Sequence, residues 1–221
     1  MDQNTKRDFK FVIIIGALVG LLVQPIVAHF IGYLSVQLSR YGFPGSNALI
    51  RICFFLLFFI LAPVALYVAY AISKKISFVY EFAKFAAVGA LNSFFDLGVF
   101  NLLTVIYGAE PQNVLFSAFK AFSFLCATTN SFFWNKYWTF HSEQKAGPGE
   151  VVKFYSVAIL GGLLNVSIAT LVYRAHHPDA ISSNLWLNII SPIAGILSAF
   201  IWNYIGYKFF VFKKHKSEIA A

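Results

Sequence analysis

Asn130-Ser-Phe-Phe-Trp-Asn-Lys136-Tyr-Trp138-Thr-Phe140 returns later in the chain as Asn203-Tyr-Ile-Gly-Tyr-Lys208-Phe-Phe-Val-Phe212, with the two leading asparagines 73 positions apart. Each version places a lysine four residues before its closing phenylalanine. The lysines are 72 positions apart, so one residue has been lost between Asn and Lys in the second version. Upstream, Gly89 and Asn92 recur as Gly162 and Asn165 with the 73-residue shift. Both copies lie in strongly apolar sequence. A duplicated pair of apolar segments with polar residues at matched depths points to a transport pathway in a membrane more than to a soluble active site.

Composition sets the fold class. The chain is 59% hydrophobic and 12% charged, with a mean hydropathy of +0.70. A soluble domain of 221 residues cannot cover that much apolar surface with so few charges. Six runs reach the roughly 20 residues that cross a bilayer: 11–34, 52–72, 85–107, 114–134, 154–173 and 186–207. The expected fold is an all-α polytopic membrane protein with six transmembrane helices. The first run is too long for a signal-peptide core and lacks a small-residue cleavage site, so it counts as a span. Cys53 and Cys126 fall inside spans and read as packing residues rather than a disulfide framework.

The net charge of +8 orients the chain. With a cytoplasmic N-terminus, the inner segments carry Lys6, Arg7, Lys10, Lys74, Lys75, Lys84, Lys136, Lys145, Lys153, Lys208, Lys213, Lys214 and Lys216, against Arg40, Arg51 and Arg174 outside. Every loop obeys the positive-inside rule, which places both termini in the cytoplasm. The basic charge serves orientation and contact with anionic headgroups of the bilayer; it is not a nucleic-acid footprint. The two copies are separated by two spans and point the same way. They form two parallel-repeat helical hairpins, related by an axis along the membrane normal.

Along the chain, residues 1–80 read as an additional two-helix N-terminal membrane unit, 81–214 as a four-helix membrane domain, and 215–221 as a cytoplasmic tail. Gly16-Ala-Leu-Val-Gly20 is a GxxxG that lets another helix approach closely, and Pro25 and Pro63 are expected to kink their helices. His176, His177 and Asp179 share an outer loop, but their spacing matches no standard ligand set, so no metal site is expected. No phosphate-binding GxxxxGK[ST] loop and no Asp-x-Asp pair is present. With no extramembrane segment long enough for a catalytic domain, neither enzymatic activity nor a cofactor is expected.

The polar residues inside spans are the candidate site. Asp96 sits near the middle of the third span, where an acid costs roughly 2.5–3.5 kcal/mol on insertion scales and needs a partner or a purpose. Asn92 precedes it by one helical turn on the same face. Lys120 in the fourth span is the candidate partner, since a snorkelling stem bridges most of the difference in depth. Asn92, Asn130, Asn165 and Asn203 recur at matched positions. Singly they read as interhelical hydrogen-bond glue, and together as the lining of a polar cavity. The inner helix ends carry Trp134, Tyr137, Trp138 and Phe140, then Tyr204, Tyr207, Phe209, Phe210 and Phe212, an interfacial aromatic belt. Lys84, Lys136, Lys153 and Lys208 lie near the same surface and together form a cationic rim able to hold a lipid phosphate.

Lys84-Phe-Ala-Ala-Val-Gly89-Ala-Leu-Asn92-Ser-Phe-Phe-Asp96, followed by the Asn130–Phe140 stretch, resembles the GtrA-like family over residues 81–214. The resemblance implies a four-span unit of cell-surface polysaccharide synthesis in a bacterial or archaeal plasma membrane. Such proteins move a polyprenyl-phosphate-linked sugar from the cytoplasmic to the outer leaflet, or support the glycosyltransferases that make or use it. Two departures stand out. The second copy lacks the Trp of the first, and it has Ala169 where the first has Asp96, so any acid-dependent step rests on the first hairpin. The expectation is a flippase in which Asn92, Asp96, Lys120, Asn130, Asn165 and Asn203 meet the sugar and the four lysines capture the phosphate. The alternatives are a non-transporting partner that anchors a membrane glycosyltransferase, and a small-solute exporter. Four spans with one polar face are few to enclose a headgroup, which favours a homo-oligomer.

Overall fold

The computed structural model describes residues 3–107, 113–142, 147–175 and 190–212. Among them every regular element is helical. Helix α1 (Gln3–Leu22) runs almost directly into α2 (Gln24–Arg40), and α3 (Asn47–Ser73) and α4 (Phe78–Tyr107) follow. Helix α5 (Asn113–Trp134) ends in a π-helical segment, Asn135–Thr139. Then come α6 (Pro148–Arg174) and α7 (Ser191–Gly206), which also ends in a π-helical segment, Tyr207–Val211. Both copies of the repeated motif thus place their lysine in the same kind of widened last turn, a local geometry that recurs at functional positions.

Four stretches among the described residues are long and apolar enough to cross a membrane: Gln3–Ala28, Asn47–Ser73, Phe78–Tyr107 and Pro148–Val172. Helix α5 covers the fourth expected run and α7 the described part of the sixth, while the first expected run, 11–34, is divided between α1 and α2. The surface fits a lipid solvent. Helix α3 buries only Ile50, Leu66 and Ala69, while Leu56, Leu57, Ile60, Leu61, Val64, Tyr67 and Val68 are all exposed. An apolar face of that extent is untenable in water and natural in hydrocarbon.

The break between α1 and α2 follows from Pro25, which has no N–H to give to the preceding turn. At this junction the Gln24 side-chain amide donates to the Gly20 carbonyl at 2.8 Å and to the Arg51 carbonyl of α3 at 3.2 Å. Pro63 is accommodated inside an unbroken α3.

The chain forms two compact units, Met1–Thr139 and Phe140–Ala221. In the first, α1 packs against α3 and α4, and α4 pairs with α5. The buried face of α1 includes Asp8, Val12, Ile15, Gly16, Val19 and Gly20, recurring every three or four residues. The GxxxG reading holds here: a Cβ on Gly16 would lie 2.8 Å from the Phe58 carbonyl, and one on Gly20 would lie 2.9 Å from the Phe55 carbonyl. Val12, Ile15, Val19, Leu66, Val88, Leu91 and Trp138 make one core. Within this unit α1 buries its glycine face on α3 and its polar end on α4.

In the second unit α6 lies along α7, and the π-helical segment of Tyr207–Val211 folds back on α6. The Phe154 and Tyr207 rings stack at 4.2 Å. Phe140 and Phe212, which close the two copies of the motif, stack at 5.5 Å.

Candidate functional site

The α4–α5 hairpin holds a polar seam. Lys120 Nζ donates to Asp96 Oδ2, so the expected pair forms. Ser123 Oγ lies 2.5 Å from Asp96 Oδ1, which satisfies the second carboxylate oxygen. Further along, Asn130 Nδ2 donates to Asn92 Oδ1 at 2.8 Å. Antiparallel pairing of α4 and α5 brings these residues opposite one another: Asn92 and Asp96 are one turn apart on α4, and their partners lie on the facing side of α5. Ser123 is fully buried, whereas the Lys120 side chain is 47% exposed and that of Asp96 20%. The ion pair therefore lies at the rim of the hairpin, with one carboxylate oxygen held inside. Sequence reasoning missed Ser123, although its place one turn beyond Lys120 was a usable signal.

The second hairpin uses its asparagines differently. A Cβ on Gly161 would lie 2.3 Å from Asn203 Oδ1, and one on Gly195 would lie 2.5 Å from both Asn165 Oδ1 and its carbonyl oxygen. Each asparagine thus sits over a glycine of the facing helix. Ala169, in the place of Asp96, also crowds Gly195, at 2.9 Å from the added Cβ. Close helix approach has replaced the acid. Asn203 Oδ1 is buried without a hydrogen-bond partner. The packing glycine is Gly161; its neighbour Gly162, which matches Gly89 in the repeat, faces open space.

The four lysines of the expected rim differ in their surroundings. Lys153 is exposed and Lys208 half-buried, donating to the Tyr204 hydroxyl at 3.2 Å. Lys136 is fully buried. Lys84 is 3% exposed; its ammonium contacts Asp8 Oδ2 at 3.2 Å and the Trp138 carbonyl at 3.0 Å. Trp138 Nε1 completes the triangle, donating to Asp8 Oδ1 at 2.9 Å. Two of the four ammonium groups are therefore built into the protein interior. Asp8 was not singled out from the sequence, yet it lies on the same α1 stripe as Val12, Ile15 and Val19, and that periodicity carried the signal.

The aromatic belt is divided in the same way. Tyr137, Phe209 and Phe210 are exposed, while Trp138, Phe140, Tyr204, Tyr207 and Phe212 are core residues. His176, His177 and Asp179 lie outside the described residues. Among the described residues no group of three potential metal ligands comes together.

Comparison with known proteins agrees with this architecture. The family described as GtrA/DPMS, transmembrane domain, matches residues 84–212. A curated relative, the "Uncharacterized membrane protein YngA" of Bacillus subtilis (strain 168), is 27% identical over 129 residues, covering 58% of this chain and 77% of the relative. No solved structure matches the chain. The matched region begins at the buried Lys84 and ends at Phe212 of the second aromatic cluster, so it takes in both hairpins and both π-helical segments. This chain is an integral, multi-pass membrane protein and belongs to the GtrA/DPMS transmembrane-domain family.

Proposed function

We propose that the protein is a flippase that moves a polyprenyl-phosphate-linked sugar from the cytoplasmic to the outer leaflet for cell-surface polysaccharide synthesis. It would do so with six spans and both termini in the cytoplasm. The observation that carries this reading is the polar seam of the first hairpin, in which Asn92 and Asp96, on neighbouring turns of α4, meet Asn130 and the Lys120–Ser123 pair of α5. Paired amides and a carboxylate offer sugar hydroxyls both donors and acceptors, while the polyprenyl tail stays in lipid. The half-exposed Lys120 gives the pair a side on which substrate, or a second copy of the chain, can cover it. Asn165 and Asn203 are further candidate contacts in the second hairpin. Lys153 and Lys208 are the lysines accessible for a first encounter with the lipid phosphate. With no nucleotide-binding loop in the sequence, transport runs down a gradient or couples to protons.

The other reading is a non-transporting partner that anchors or regulates a polyprenyl-phosphate glycosyltransferase. The contacts inside the first hairpin favour it in one respect, because satisfied interhelical hydrogen bonds are also what holds membrane helices together. Leaflet translocation by the reconstituted protein, with Asp96→Asn beside wild type, separates the two. Transport lost with assembly intact supports the flippase. No transport by folded wild type supports the partner.

A further inference from the structure

The triangle of Asp8, Lys84 and Trp138 is a two-donor seat for an anion. Lys84 Nζ and Trp138 Nε1 converge on one carboxylate, each taking a separate oxygen, at 3.2 and 2.9 Å. The seat is buried, with Asp8 and Lys84 each 3% exposed and Trp138 2%. Both donors lie within the family's matched region, whereas the carboxylate comes from α1, outside it. Beside the seat is a cavity of about 170 Å³ lined by Phe11, Phe133, Trp134, Tyr137 and Trp138. Trp138 belongs to both: its N–H faces the anion and its ring lines the cavity. An anionic head attached to an apolar chain is the chemistry that this pairing fits.

We infer that this seat binds the phosphate of a long-chain isoprenoid phosphate ester, with the first isoprene units in the aromatic cavity, and that Asp8 is an internal stand-in which the phosphate displaces. The identity of the ligand rests on the proposed function; the seat and its occupant rest on geometry. Removing Asp8 takes away the carboxylate bonded to a buried ammonium, leaving it only the Trp138 carbonyl and the weaker attraction of Glu81, so withdrawal of Asp8 favours another anion in the seat. A phosphate supplies oxygens for both donors in charge-assisted hydrogen bonds. The exchange is local. Asp8 is in the second turn of α1, so unwinding the start of that helix frees it while Val12, Ile15 and Val19 stay packed. Phe11, whose ring meets Trp134 and Trp138 edge-on at 5.8 and 6.1 Å, moves with it and opens the cavity.

The consequence is measurable, because an internal competitor lowers apparent affinity by the fraction of time that it holds the site. Farnesyl phosphate binding to the full-length protein in detergent is compared for wild type, Asp8→Asn, and Asp8→Asn combined with Lys84→Met. Asp8→Asn should bind about fivefold tighter or more, and the double variant should lose the gain. Inorganic phosphate should compete weakly and phosphatidylglycerol not at all, since the seat needs a head and an apolar tail of one kind. Unchanged or weaker binding by folded Asp8→Asn overturns the inference, as does full competition by inorganic phosphate. If Asp8→Asn does not fold, photocrosslinking of wild type with a benzophenone-bearing polyprenyl phosphate decides. Adducts on Phe11, Phe133 or Tyr137 support the seat, and adducts confined to other helices overturn it. Tighter binding by Asp8→Asn with no translocation by wild type leaves the seat standing and removes the flippase. Translocation by wild type with unchanged binding in Asp8→Asn does the reverse.

Discussion

Trp138 Nε1 donates a 2.9 Å hydrogen bond to Asp8 Oδ1 across 130 residues of sequence. The bond ties the first helix of the chain to the repeated motif on which the family resemblance rests. Together with Lys84 it turns an N-terminal addition into part of the core of the first unit.

Breaking that triangle from one side should destabilise the fold. Asp8→Ala strands the Lys84 ammonium, for which about 3–5 kcal/mol is expected, seen as a large drop in unfolding temperature in detergent. Asp8→Asn combined with Lys84→Met removes both charges and should lose much less than the two single losses added together. Strict additivity would show that the charges do not interact.

Neighbouring glycines should behave in opposite ways. Gly161→Ala drives a methyl into Asn203 and should destabilise the second hairpin by about 1–3 kcal/mol. Gly162→Ala meets nothing within 4 Å and should be neutral or stabilising by up to about 1 kcal/mol, since it replaces a helical glycine. Equal effects on thermal stability would contradict the packing described for α6 and α7.

The GxxxG face of α1 is a similar contrast. Gly16→Leu places its side chain against the Phe58 backbone, which cannot move aside cheaply, and should lower stability by about 1–3 kcal/mol or more. Gly32→Ala, in open space on α2, should be neutral or stabilising by up to about 1 kcal/mol, as for Gly162→Ala.

Lys153→Gln removes an exposed charge without touching the core. It should slow capture of a polyprenyl-phosphate sugar, by about two- to fivefold at low salt and less at high salt, as screening predicts. Its unfolding temperature should match wild type. A drop in stability would mean that Lys153 is structural.

Much of the fold was legible in the sequence because lipid imposes a simple rule. Apolar runs near 20 residues marked where the helices lie, although α4 and α6 begin seven and six residues before their runs and the first run is divided between α1 and α2. The Asp96–Lys120 pair could be anticipated because an intramembrane acid needs a partner. Two things were hidden. The polar head of α1 looked like a cytoplasmic extension, since Lys6, Arg7 and Lys10 surround Asp8; its spacing to Val12, Ile15 and Val19 puts Asp8 on the inward face, but its partners Lys84 and Trp138 come from far along the chain. Likewise Lys84 and Lys136 resemble rim lysines in a linear reading. Lys84 is buried against Asp8 and Trp138, both distant in sequence, and Lys136 lies buried within the π-helical turn Asn135–Thr139.

The most direct test is the initial rate of leaflet translocation of a short-chain polyprenyl-phosphate sugar in proteoliposomes. It should be measured for wild type, Asp96→Asn and Lys153→Gln at matched incorporation. We expect transport by wild type, a loss of about tenfold or more in Asp96→Asn, equivalent to about 1.4 kcal/mol in the barrier, and a small loss in Lys153→Gln. Full transport by Asp96→Asn would remove the acid from the path. No transport by folded wild type would contradict the flippase.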